Sequence, residues 1–340
     1  KYTSALEADM DYKKGMSSML AEAYQSYRTT EMYTGVAPDL SLELLWVTEP
    51  IKNQPYNAQI RLFLIARAIG NERSEIQNSI TQLIKICKSV FTLQKYEFVD
   101  IEYAEFSSLL SKVSKSKIKA LVKEEKLENL QNQLLPQCLS FDRIPQSDCG
   151  LGKLVNSLID YPHCAISMQL IPTKLSANEA DSLGRVRQML DTLTRGVMDQ
   201  GVGNISFSLA EKHAENYKFY EDNKNNALFQ FNLIIYGAGQ AVDSLASSLY
   251  GQLNSSPEHQ INMKFLPLYE EEADFNNNFY PLPWAIHEVL SGSERNPYIW
   301  GNPNSQFAPL YRMPFIITAD EASEFFRLPI GGESIKAGLN

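Results

Sequence analysis

Residues 228–236 (LFQFNLIIY) form the strongest strand signal in the chain, and the pattern around them restricts the folds open to it. The run is rich in β-branched and aromatic residues and has strand length. Gly237 and Gly239 follow and turn it into a helical pattern over 241–254. Gln230 and Asn232 interrupt the run, and no other stretch reaches the ~18–20 unbroken apolar residues a membrane helix needs. Upstream, residues 164–171 (CAISMQLI) read as a strand stopped by Pro172. Ser176 then opens a helix to about residue 195, with Glu179 at capping-box spacing. A second helix is expected over 209–223, and 261–266 (INMKFL) returns as a strand. Strand, two helices, strand, helix, strand is the split pattern of a ferredoxin-like fold.

The first half reads in a related way. Residues 4–29 have helical spacing, weakened in the middle by Gly15. Residues 41–48 (SLELLWVT) and 58–69 (AQIRLFLIARAI) read as partner strands around the turn chemistry of 53–56 (NQPY). The second is apolar on both faces, which suits the middle of a covered sheet. Residues 72–92 carry Ile76, Ile80, Leu83, Ile84 and Cys87 at helical spacing, and 96–102 (YEFVDIE) reads as a further strand.

The fold class expected is therefore α/β of the α+β kind, with two ferredoxin-like split β-α-β units joined by a helical connector. The expected divisions are an N-terminal helix (1–40), a first unit (41–104), a lysine-rich helical connector (105–150) and a second unit (151–266). An irregular aromatic and proline-rich segment (267–314) and a capped strand-helix (315–340) complete the chain. A length of 340 residues suits two such units, and 44% hydrophobic with 21% charged residues lets each bury a core.

Charge narrows the partners. Lys plus Arg is 31 against 40 for Asp plus Glu, a net charge of −9, which argues against a nucleic-acid surface over the whole chain. A local basic patch remains open. Six lysines stand between 112 and 126, of which Lys112, Lys115, Lys117 and Lys119 are the candidates for nucleic-acid contact. Glu124, Glu125 and Glu128 neutralise the second half, and no aromatic is interleaved for base stacking. A solvated connector helix is the alternative.

No constellation for catalysis stands out. His163, His213, His259 and His287 are far apart, without HExxH or metal spacing. Cys87, Cys138, Cys149 and Cys164 form no CxxC pair, so reduced core thiols in a cytoplasmic protein are expected. Gly237-Ala238-Gly239 resembles a dinucleotide-binding turn, but the third glycine position is Val242. Gly150-Leu151-Gly152-Lys153 lacks the rest of a phosphate loop. The run Glu270-Glu271-Glu272 with Asp274 reads as a solvated loop or an acidic docking site. In 267–314, Phe275, Phe279, Tyr280, Trp284, Tyr298 and Trp300 are the anchors of a candidate protein interface.

The most specific stretch is 311–330 (YRMPFIITADEASEFFRLPI). It reads as a short strand feeding a helix, with Thr318 as N-cap, Glu321 closing a capping box, and Leu328-Pro329 ending the helix. This element resembles the one that precedes the motor in the HerA/FtsK superfamily of ATPases, including type IV secretion, conjugation and TraG-like members. The order of elements over about 164–266 is similar as well. The resemblance implies that this chain holds no cofactor or catalytic residue, and that ATP and Mg belong to a motor lying beyond Asn340. It implies assembly with itself as a ring such as a hexamer, a protein partner, and DNA reached through the motor. It also implies a cytoplasmic location, membrane-associated only through partners. Two other readings stand beside it. One is a self-sufficient scaffold that binds a partner through 267–314. The other is a degenerate hydrolase half like the inactive domain of a pitrilysin-like peptidase, for which H-x-x-E-H is missing.

Overall fold

The structure is a computed structural model and describes residues 5–34, 39–69, 73–93, 97–130, 134–145, 151–198, 205–254, 263–268 and 305–328. It is an α+β fold built on a largely antiparallel sheet. The elements run α1 (Ala5–Thr34), β1 (Asp39–Ile51), β2 (Gln54–Ile69), α2 (Arg73–Leu93), α3 (Tyr103–Ser111), β3 (Lys117–Lys123), β4 (Lys126–Asn129) and β5 (Gln137–Ser140). They continue with α4 (Gly152–Ile159), β6 (Ala165–Thr173), α5 (Ala177–Met198), α6 (Ile205–Asp222), β7 (Leu228–Gly237), α7 (Gly239–Leu253), β8 (Met263–Leu268), β9 (Ile316–Thr318) and α8 (Ala319–Ser323).

Among the described strands, seven form one sheet in the order β2-β1-β6-β7-β3-β8, with β9 also paired to β7. The β1–β2 hairpin closes through Lys52 and Asn53, and Asn53 takes the positive φ of 72° that such a turn favours. The alternation of each strand sorts the two faces. Leu42, Leu44 and Trp46 of β1, Ile166 and Met168 of β6, and Phe231, Leu233 and Ile235 of β7 enter the core that α1, α2, α4 and α7 cover. Leu45, Val47, Ile118, Ala120, Val122, Ala165 and Ile234 line the opposite face, under Leu109 of α3 and Phe315. A third core holds α5 against α6, with Leu139, Phe141, Leu310 and Met313.

Two sequence expectations are corrected. The helical connector is not a helix beyond α3. Residues 117–123 are β3, hydrogen-bonded between β7 and β8, so strands from both sides of 105–150 share one sheet. The reason is visible in the residues: Ile118, Ala120 and Val122 alternate with Lys117, Lys119 and Lys123, a period of two that the wider leucine spacing obscures. Further on, 126–129 and 137–140 pair antiparallel as β4 and β5. Residues 97–102 are likewise not a strand. Phe98 packs into the core under α2 while Ile101 packs into the core under α3, so the segment passes from one sheet face to the other instead of joining the sheet.

The capping box that opens α5 is present, with Glu179 N donating to Ser176 Oγ at 3.2 Å and Ser176 N donating to Glu179 Oε2 at 2.7 Å. Among the described residues no helix is long and apolar enough to cross a membrane.

Candidate functional site

The capped element near the end of the chain is built into the body of the fold. β9 pairs with the start of β7, Thr318 opposite Leu228 and Ile316 opposite Gln230. Thr318 caps α8: Glu321 N donates to Thr318 Oγ1 at 3.2 Å, and Thr318 N donates to Glu321 Oε2 at 2.9 Å. The helix is shorter than its sequence suggests and ends at Ser323, and Leu328 is buried beyond it. Pro329 lies outside the described residues. Phe325, Phe326 and Ile317 are fully buried, and Phe325 meets Phe231 of β7 at 5.9 Å between ring centres.

Glu321 does more than cap. Its Oε1 accepts from Ile144 N at 2.9 Å, from the Tyr220 hydroxyl at 3.0 Å and from Lys123 Nζ at 3.3 Å. Lys123 also donates to the Ile316 carbonyl at 2.9 Å and to the Tyr220 hydroxyl. Lys123 is 1% exposed and Glu321 4%, so a full ion pair is enclosed in the core. Burial holds the Lys123 ammonium below its ordinary pKa, with Glu321 opposing, and burial pushes the Tyr220 phenol well above its own. Both oxygens of this carboxylate meet donors, three on Oε1 and the Thr318 amide on Oε2, and such pairing is the condition under which a buried charge is tolerated.

Outer contacts hold the same element. Lys13 of α1 pairs with Glu324 at 2.9 Å, and Ser17 donates to Asp320. Just upstream, Arg312 grips both oxygens of Glu179 at 2.9 and 2.8 Å and reaches Thr173 Oγ1 at 2.9 Å. Burial alone would raise the Glu179 pKa; the Arg312 fork and the Ser176 amide outweigh it and hold the carboxyl below its usual value.

Three of the four candidate lysines meet carboxylates. Lys112, at the end of α3, pairs with Glu49 at 3.6 Å. Lys117 and Lys119 both pair with Asp243 of α7, at 2.6 and 2.7 Å, and hold its carboxyl low. Lys115 stands half-buried between α3 and β3. The aromatic candidates Phe275, Phe279, Tyr280, Trp284, Tyr298 and Trp300 lie outside the described residues, as do His259, His287, Cys149 and Glu270–Asp274.

Among the described residues no group of His, Cys, Asp and Glu side chains could hold a metal ion. Burial pushes the Cys87 and Cys138 thiols up to about 12 and Cys164 to about 11, which keeps them from acting as thiolates. One further polar group escaped sequence reasoning. Ser167 donates to Glu43 at 2.5 Å, Glu43 pairs with Arg67 at 2.5 Å, and Asn232 donates to Gln169 at 2.8 Å. These lie on one face of the inner strands with Glu43 and Ser167 fully buried, and each ties a strand to its neighbour. The signal was the polar residues at alternating positions of otherwise apolar strands.

His213 gives a pH prediction. It is buried on α6 with Nε2 at 3.6 Å from Glu128, and burial lowers its pKa against the opposing pull of Glu128. Lys212 and Asp142 also face this corner. An imidazole held below its ordinary ~6.5 takes up its proton more readily in the unfolded chain. Stability from this group is complete above about pH 6.5 and is lost as the pH falls below it. The variant His213→Gln should therefore show a shallower fall in denaturant midpoint between about pH 6.5 and 5 than the parent. An unchanged slope would remove His213 from the account.

Compared with models of known protein families and with curated proteins, the chain matches none.

Proposed function

We propose that this chain is a non-catalytic assembly and docking module of an ATP-driven DNA or protein translocase of the conjugation or mobile-element defence type. Its capped element would precede a motor, as in the HerA/FtsK superfamily. The observation that supports this reading is the enclosure of the Thr318–Glu321 cap by Lys123, Tyr220 and Ile144. An element tied at once to β3, α6 and the 141–145 segment moves only with the body of the fold. Such an element suits a rigid support better than a flexible tether. In this reading ATP and Mg belong to the motor, and the chain assembles with itself as a ring and meets a protein partner.

The test is direct. Reading the gene past the codon for Asn340 should reveal a phosphate loop within several tens of residues. The longer protein should hydrolyse ATP in the presence of Mg while residues 1–340 do not. A stop codon soon after Asn340, with no motor on a neighbouring subunit, would overturn the proposal.

A further inference from the structure

β2 has the composition of an inner strand and stands at the edge of the sheet. Residues 58–69 are apolar on both faces, the pattern of a strand in the middle of a covered sheet. Among the described strands none lies beyond β2. The hydrogen bonds of β1 show which backbone groups face that edge. Thr48 N donates to the Cys164 carbonyl, and the Thr48 carbonyl accepts from His163 N, both at 2.9 Å, so Thr48 turns its backbone toward β6. Backbone groups alternate in direction along a strand, so Glu43, Leu45 and Val47 turn theirs toward β2. There they stand opposite Ile65, Phe63 and Arg61. The N–H and C=O groups of Ile60, Leu62, Leu64, Ala66 and Ala68 therefore point outward, away from β1.

Sheet edges are ordinarily blunted by short strands, Lys, Pro or bulges. β8, at the other end of the described sheet, has six residues and includes Lys264 and Pro267. β2 has no Lys, Pro or Gly over 57–69. Its register on β1 runs without a shift from Asp39 opposite Ile69 to Pro50 opposite Ala58. Its two charges are met within the chain, Arg61 by Glu49 and Glu105, and Arg67 by Glu43. Leu62, Leu64, Ala66 and Ala68 are only partly buried, whereas Leu42, Leu44 and Trp46 on the same face of β1 are enclosed. One more strand against β2 would complete that burial.

The strand that fits is β2 itself. Two copies laid antiparallel about a two-fold axis keep matching sheet faces together when one residue stands opposite itself. Centred on Leu64, such a pair would set Arg61 against the second copy's Arg67, a destabilising like-charge contact. Centred on Phe63, the midpoint of 57–69, no charge meets its like and the overlap is the longest that this run allows. Leu62 then stands opposite the second copy's Leu64, Arg61 opposite its Ile65 and Gln59 opposite its Arg67. Phe63 meets its own copy, an aromatic cross-strand pair of the favourable kind.

We propose that β2 pairs with β2 of a second copy of this chain, antiparallel and centred on Phe63, so that one sheet continues across a two-fold axis. The inference goes beyond the translocase reading and does not depend on it, because a two-fold pair needs neither a motor nor a ring. Sedimentation equilibrium of residues 1–340 should show, at about 100 µM, a mass approaching twice the 38.5 kDa of one chain, with dissociation in the micromolar range. Ala66→Pro removes one outward N–H, a change an edge strand tolerates. Its melting should stay near the parent's while dimerisation weakens at least tenfold. Ile65→Lys sets a second cation opposite the second copy's Arg61 and should also weaken it at least tenfold. Air oxidation of an equal mixture of Arg61→Cys and Ile65→Cys chains should join one to the other by a disulfide, above the level of the parent chain. A monomer at about 100 µM overturns the proposal. So does a dimer that neither Ala66→Pro nor Ile65→Lys weakens, or a mixture of the two cysteine variants that fails to join.

Discussion

Replacing Glu321 by Ala should cost about 3–5 kcal/mol of folding stability, the largest single-residue loss expected on the polar side of this fold. The change removes the acceptor that meets Lys123, Tyr220 and the Ile144 amide, and leaves a cation enclosed where water cannot reach it. It also removes half of the capping box over Thr318. The cost is mostly the penalty of what is left behind, so it should shrink when the orphan is removed too. Adding Lys123→Met should recover at least ~1 kcal/mol, because a buried pair replaced by apolar atoms is often close to neutral. Urea unfolding of the parent, both single variants and the double variant closes the cycle. Strict additivity would show that Lys123 and Glu321 do not depend on each other.

The variant Gly237→Ala should destabilise by about 1–3 kcal/mol through overpacking. A Cβ at that position would stand 2.5 Å from Cys164 Sγ, 3.2 Å from its Cβ and 3.4 Å from its Cα. Rotating the thiol away would leave the Cβ and Cα at 3.2 and 3.4 Å, and that backbone belongs to the entrance of β6. Combining it with Cys164→Ala removes the closest atom but not the Cβ, so part of the loss should return. Thermal melts of the two singles and the double decide it. A Gly237→Ala variant as stable as the parent would mean that the β7–α7 turn shifts freely. The same contact explains the glycine that resembled a dinucleotide-binding turn: Gly237 is there because Cys164 fills the space of its side chain.

Much of the architecture was legible because local signals agreed with tertiary placement. In β7 every residue is buried, and its apolar run named it as a strand without further help. Ser176 and Glu179 announced the start of α5 by spacing alone, and Thr318 with Glu321 did the same for α8. The lysine run misled because leucine and isoleucine positions over a wider window mimic a helical period while 117–123 alone alternates. Lysines of the run also find acidic partners far away in the sequence, which a sequence does not reveal: Lys112 at Glu49, Lys117 and Lys119 at Asp243, and Lys123 at Glu321.

The candidate site was half legible for a related reason. A capping box needs residues three apart, so the pattern can be read. The other partners of Glu321 lie 101, 177 and 198 positions away, and only the folded sheet brings them within reach. Residues 96–102 read in the sequence as a strand. What could not be seen was that the strand would lack a partner.

The placement of β3 between β7 and β8 also sets an order of events during synthesis. β3 leaves the ribosome well before residues 228–237 and 263–268, the two strands that flank it. Tyr220 emerges before both and Glu321 only after both, so Lys123 lacks its full set of partners until residue 321 is out, and β1 waits for β6. The early chain is held open by distance, and its long-range pairings make its completion slow compared with a fold of local contacts. Chaperone contact during translation should therefore concentrate on nascent chains that carry β3 but not yet β8.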